Sequence, residues 1–236
     1  MRGTNGFRWT EADAFLFDID GTLLVSKDRV HFDALNHAML EVYGEDTTIA
    51  GIAYHGKTDL GILRAALSRA GVSSSQFEDR LPAALDAICR EVSSKAGQLA
   101  PQVCPAVPEV LARLRSVGKL LGVASGNLAA VGWHKIEAAR LRDFFSFGCF
   151  SDHLEARGDV FAEGVREARR RLDKHAKVCF FGDTPEDVKA ARFAGAQIIA
   201  VGTGIFPAEE LALHNPDLCI SSCAELFVGE PAAHLL

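Results

Sequence analysis

The chain has 236 residues, 48% of them hydrophobic and 24% charged, so it can bury a substantial core and lacks the high-charge, low-hydrophobicity profile of a disordered segment. With 25 basic and 31 acidic side chains its formal charge is −6, which gives no general attraction to nucleic acid or to an anionic membrane. No apolar run approaches the roughly 20 residues of a bilayer span, and the start, MRGTNGFRWTEADA, has no hydrophobic signal region, so a soluble, cytoplasmic protein without nucleic-acid or membrane partners is expected.

The first predicted element is residues 14–19 (AFLFDI), a short apolar run without strict alternation, as expected of a strand buried on both faces of a parallel sheet. From residue 31 to about 99 only helical patterns follow, in FDALNHAMLEVYG, DLGILRAALSRAG and ALDAICREVSSKA. Ser73, Ser74 and Ser75 mark a turn between two of these helices. Beyond this block, apolar runs at 120–124, 147–150, 178–181 and 197–201, with a further one at 217–220, alternate with helical spacing over 108–117, 128–140, 160–172 and 186–194. That alternation predicts an α/β fold with a Rossmann-like, doubly wound parallel sheet. Its core is expected over 13–26 and 103–236, with a helical insertion over 27–102. The six cysteines (Cys89, Cys104, Cys149, Cys179, Cys219 and Cys223) lack paired zinc spacing and read as reduced core residues.

Chemistry concentrates at predicted strand ends. Asp18 and Asp20 stand two residues apart, so the strand's period directs both side chains to one side. Gly21 and Thr22 then turn the chain, where open α/β sheets bind ligands. Two carboxylates this close repel each other, and a divalent cation resolves the conflict. Gly182-Asp183-Thr184-Pro185-Glu186-Asp187 adds a second acidic cluster after another apolar run. Mg²⁺ takes one or two carboxylates and keeps waters, so the two clusters could share it. Helix-start rules alone would explain Thr184 as cap, Pro185 at the first position and Asp187 three residues on, but not Asp183. Ser125-Gly126-Asn127, between a strand and a helix, offers a hydroxyl and free N–H groups for a phosphate, and is also a common capping arrangement.

These segments (FDIDGTL at 17–23, Ser125, and GDTPED at 182–187) resemble motifs I, II and IV of the haloacid dehalogenase superfamily, and the helical insertion resembles that family's C1 cap. The resemblance implies a phosphatase of the phosphoglycolate phosphatase or β-phosphoglucomutase-like kind acting on a small phosphorylated metabolite. It implies that Asp18 attacks phosphorus, that Asp20 protonates the leaving oxygen and then activates water, and that Ser125 binds the phosphoryl group. It further implies Mg²⁺ held by Asp18, the Asp20 backbone carbonyl and Asp183, with Asp187 a ligand or its support. Thr22, Gly126 and Asn127 are the expected phosphate contacts, and His55 and Lys57, in a loop resembling the family's GxTD segment, are the expected substrate contacts. The chain departs from the family at motif III: Glu155 stands where a lysine is usual, and Arg157 is the expected substitute. Lys135 and His153 are weaker candidates, Lys135 being expected to face solvent, and the remaining histidines, His31 among them, read as surface or structural. A monomer or homodimer is expected. The alternatives are a phosphomutase, a dehalogenase, which Asp20 argues against, and a catalytically silent binding protein.

Overall fold

Period-two alternation decides which side chains fill the two faces of the sheet. In a computed structural model, which describes residues 7–227, β1 (Ala14–Phe17) turns Phe15 and Phe17 to one face and Ala14 and Leu16 to the other. The same division holds for β6 (Val178–Gly182), with Cys179 and Phe181 against Val178 and Phe180, and for β7 (Gln197–Val201), with Ile199 and Val201 against Ile198 and Ala200. Two buried faces require two helical layers. With β4 (Leu120–Ala124), β5 (Phe147–Cys149) and β8 (Leu218–Ile220) these strands form one parallel sheet in the order β5-β4-β1-β6-β7-β8. The doubly wound α/β sheet expected from the sequence is therefore present.

Helices α4 (Val107–Ser116) and α5 (Ala129–Ala138) cover the Phe15 and Phe17 face, while α6 (Arg157–Arg171), α7 (Pro185–Phe193) and α8 (Ala208–Ala212) cover the other. The chain winds outward from β1 first through β4 and β5, then through β6 to β8, so the order reverses at β1. The carboxyl ends of β4, β1 and β6 consequently face one crevice.

Between β1 and α4 the chain forms a helical block: α1 (Val30–Ala38), a π-helical turn (Met39–Tyr43), α2 (Asp59–Arg69) and α3 (Ser74–Ser94). It has its own apolar cluster around Leu35, Met39, Leu63, Phe77 and Ile88, which Leu128, just before α5, and Val131 of α5 join. The chain enters and leaves this block through a two-stranded antiparallel ribbon of β2 (Leu24–Ser26) and β3 (Pro101–Val103), which the sequence reading did not anticipate. Helix α3 also begins ten residues before its recognised pattern, because Ser73 and Gln76 form a reciprocal capping box and Pro82 is tolerated within the helix. Residues 228–236, assigned to the core from sequence, lie outside the described residues. All six cysteines are free thiols, and among the described residues no helix is long and apolar enough to cross a membrane.

Phe180 stacks on Phe161 of α6 with ring centroids 4.1 Å apart and planes 8° from parallel, and both rings are fully buried. Phe180→Ala should reduce unfolding free energy by about 3–5 kcal/mol in chemical denaturation, the usual cost of an unfilled aromatic site; a loss below about 1 kcal/mol would show that this face repacks.

Candidate active site

Three buried carboxylates meet in the crevice. Asp18 follows β1, Asp183 follows β6 and Asp187 lies in the first turn of α7, and one oxygen of each lies within 4.8 Å of the others. Facing them, Arg157 on the first turn of α6 sends Nη2 to 2.9 Å from Asp18 Oδ1 and 2.5 Å from Asp187 Oδ1, while its Nε donates to Asp187 Oδ1 at 2.7 Å. That Nη2 is buried yet has no hydrogen-bond partner of good geometry. Burial pushes the Asp18 carboxyl up to about 6 despite Arg157, with Asp187 and Asp20 adding to the rise. Asp183 is raised well above the ordinary carboxylate range by burial and then by the charges of Asp187 and Asp18. One guanidinium faces three buried acids, more carboxylates than it can neutralise once they ionise, and a divalent cation with oxygen preference fits that donor set.

The three acids are not equivalent. Asp187 is wholly buried and fully engaged, its Oδ2 accepting from the backbone N–H and hydroxyl of Thr184 in a capping box and its Oδ1 from Arg157. It therefore serves two of the readings made from sequence, helix cap and acidic site member. Asp183 accepts from the Thr22 hydroxyl at 3.2 Å, so Thr22, expected at the phosphate, instead fixes an acid. Asp183 also sits where side chains at Gly21 and Gly204 would collide with it: a Cβ there would lie 2.2 and 1.7 Å from its Oδ2.

Asp20 belongs to a different network. Its two carboxylate oxygens accept from Lys135 Nζ at 2.9 and 2.7 Å, and Oδ2 also accepts from Asn127 Nδ2 at 2.8 Å. Partial removal from water would raise this half-exposed carboxyl, but the Lys135 charge and the hydrogen bonds from Lys135 and Asn127 outweigh it and hold it below the usual range. The expectation that Lys135 faces solvent is thus wrong. Its side chain is 4% exposed, and it also donates to Asn127 Oδ1 at 2.9 Å and lies 3.2 Å from His31 Nδ1. His31 in turn reaches Asp59 Oδ2 at 3.1 Å, and Asp59 accepts the Leu128 backbone N–H at 2.8 Å. His31, read as surface or structural, is therefore part of the site. Helical spacing held the signal for Lys135, which falls four residues after Val131 and seven after Leu128, on the buried face of α5.

Ser125, at 1% exposure, accepts from Asn127 Nδ2 at 2.9 Å, leaving its own hydroxyl proton for a ligand. With its amide engaged by Asp20, Ser125 and Lys135, Asn127 organises the site through its side chain. The loop at 54–58 crosses over this segment: the Asp59 N–H donates to the Gly126 carbonyl at 2.7 Å, and a side chain at Gly126 would lie 2.4 Å from the Lys57 carbonyl oxygen. His55 and Lys57 are exposed on this loop and line, with Asp18, Asp20, Asp183, Ser125 and Arg157, a cavity of about 510 Å³ whose far wall includes Phe32, Ile49, Tyr54 and Ile62. His153 is exposed and lines no part of it. Glu155 points away to α2, where it holds Arg64 at 2.6 and 2.8 Å.

The profile of the haloacid dehalogenase-like hydrolases matches residues 12–195. Phosphoglycolate phosphatase from Synechococcus elongatus is 28% identical over 215 residues, covering 90% of this chain and 94% of its own. Among solved structures, a predicted phosphatase from Clostridium acetobutylicum superposes with a TM-score of 0.66 at 20% identity, covering 91% of this chain and 96% of that one. CbbY from Rhodobacter sphaeroides, in complex with phosphate, gives 0.59 at 19% identity over 80% and 86% of the two chains.

Acids whose folded-state values are raised support the fold while protonated and withdraw that support as pH climbs through the raised value, here about 6 for Asp18. A bound divalent cation reverses the loss. The rise in Tm on adding Mg²⁺ should therefore be larger at about pH 7.5 than at about pH 5, and Asp183→Asn should flatten the difference. An equal rise at both pH values would show that the acids do not hold the cation.

Proposed function

The chain belongs to the haloacid dehalogenase-like hydrolases and is a phosphatase by class, and we propose that it is a Mg²⁺-dependent phosphomonoesterase working through a phosphorylated Asp18. The observation that carries this reading is the buried Asp18 carboxylate beside Arg157, whose Nη2 has a hydrogen-bond donor left over, in a crevice that also presents Asp183 and the free hydroxyl proton of Ser125. A nucleophile, an acidic metal seat and convergent donors are what phosphoryl transfer asks for.

In this reading Asp18 attacks phosphorus, forming its own P–O bond as the bond to the substrate alcohol breaks. Ser125, backbone N–H groups near Gly126 and Arg157 donate to the phosphoryl oxygens, and Arg157 also fixes the attacking carboxylate against Asp187. Asp18 and Asp183 would hold Mg²⁺, with the Asp20 backbone carbonyl, and Asp187 braces Arg157. When bound, the ion neutralises charge on the acids and on the phosphoryl oxygens. Asp20 gives a proton to the leaving oxygen, then takes one from the water that attacks the phosphoaspartate, which frees inorganic phosphate and restores Asp18. The Lys135 pair favours the carboxylate form of Asp20, which the water step uses, so a leaving oxygen that needs a proton takes it from the minor acid form of Asp20, and an aryloxide leaves without one. Residues 27–102 act as a cap over the crevice, supported by their separate apolar cluster and their contribution to the cavity wall. The substrate is a small phosphorylated metabolite, phosphoglycolate-like or a sugar phosphate, for which the relative from Synechococcus elongatus is the support.

Three outcomes are expected from a screen of phosphorylated metabolites and p-nitrophenyl phosphate with Mg²⁺. Asp18→Asn should reduce turnover to background with the fold retained by circular dichroism, and Ser125→Ala should lower kcat by about 10²-fold, the scale of one oxyanion donor. Because Asp20 is held as a carboxylate, kcat/KM should favour aryl esters, whose leaving groups need no proton, over alkyl esters of similar size. Turnover by Asp18→Asn comparable to wild type would overturn the nucleophile assignment.

A further inference from the structure

Lys135 is a buried cation that the proposed steps bring into contact with no atom of the substrate. It stands on α5, in the core, and one ammonium group contacts four acceptor atoms: both oxygens of Asp20 at 2.9 and 2.7 Å, Asn127 Oδ1 at 2.9 Å and His31 Nδ1 at 3.2 Å. An ammonium has three protons, so these contacts saturate it and leave nothing for a phosphate. The chain of contacts runs on across the crevice, since His31 on α1 joins Asp59 at the start of α2 at 3.1 Å, and Asp59 returns to the core through the Leu128 N–H at 2.8 Å. Asp20 itself is 44% exposed on its side chain, so without Lys135 only Asn127 would restrain a carboxylate open to the cavity.

We infer that Lys135 is the positioning residue for Asp20, and that the His31–Asp59 pair is the strut tying this alignment to the helical block. The inference rests on the acid–base reading of Asp20. The ion pair fixes the aim of the carboxylate toward the incoming water, while Arg157 and Asp18, in the separate network, carry the transfer to Asp18. Loss of Lys135 should therefore slow dephosphorylation and spare phosphorylation by a substrate whose leaving group needs no proton.

The test uses the full chain with Mg²⁺ and p-nitrophenyl phosphate. Lys135→Met, close in volume but uncharged, should lower kcat by about 10²-fold, the low end of a general-base contribution, with kcat/KM within about threefold of wild type. KM should fall with kcat, and a burst of p-nitrophenolate near one per active site should appear as phosphoenzyme accumulates. His31→Phe should shift the same parameters less, and His31→Gln, which can still bond both neighbours, should restore them; this pair decides the matter if Lys135→Met fails to fold. Equal falls in kcat and kcat/KM without a burst, or no change in either, would overturn the inference while the wild-type activity stands. Wild-type inactivity on every monoester would instead overturn the acid–base reading beneath it.

Discussion

Three carboxylates gathered and buried at one end of the sheet are the constraint from which the rest of this site follows. Asp18, Asp183 and Asp187 come from two strand ends and one helix start, and burial together with mutual repulsion lifts Asp18 to about 6 and Asp183 well above its ordinary range. A fold does not keep such a cluster without compensation, because an ionised group removed from water is costly unless paired. Arg157 supplies part of the compensation and a divalent cation is suited to supply the remainder. The proposed chemistry uses the same imbalance: a site short of positive charge attracts the ion that neutralises a transferring phosphoryl group.

The two buried cations divide the acids between them. Arg157 spans Asp18 and Asp187, whereas Lys135 holds Asp20, and the two carboxyls that stand only two residues apart in sequence end in opposite conditions, one raised and one lowered. Two side chains of one type, two residues apart, are thus set apart by environment alone, which is how a fold makes like groups chemically unequal. The separation arises from helix placement: α6 brings Arg157 over one side of the β1 terminus and α5 brings Lys135 over the other.

Much of this arrangement was legible in the sequence, and the parts that were not have identifiable causes. Short apolar runs without alternation, such as those around Phe15 and Phe180, announce strands buried on both faces, so the parallel sheet was readable. The ribbon of β2 and β3 was not, because three residues per strand carry too little period and Pro101 argues against a strand. Asp18, Asp20, Ser125, Arg157 and Asp183 could be chosen from motif positions, and the structure gathers them around one cavity. Lys135, a weaker candidate expected to face solvent, and His31, read as surface or structural, could not be placed from sequence because no motif contains them. Their partners lie 115 and 28 residues away, for Lys135 with Asp20 and His31 with Asp59, and only the fold brings them together. Thr22 and Asn127 show the converse: their motif positions were informative, but their side chains serve other site residues, a distinction that spacing does not contain.

The departure at Glu155 makes physical sense once both of its neighbours are located. Replacing a cation with an acid beside three carboxylates would deepen the imbalance if the side chain kept its direction. Instead Glu155 turns outward and holds Arg64 of α2 in a two-point pair, while its backbone carbonyl accepts the Thr58 hydroxyl at 2.5 Å, so the segment becomes a contact between core and helical block. Arg157, two residues further and on the first turn of α6, faces inward to Asp18 and Asp187. A guanidinium suits this displaced position, since its length and planar fork let one side chain reach two carboxylates from a helix start. Arg157 thus places a positive charge beside Asp18, while the Glu155 position joins the core to the helical block.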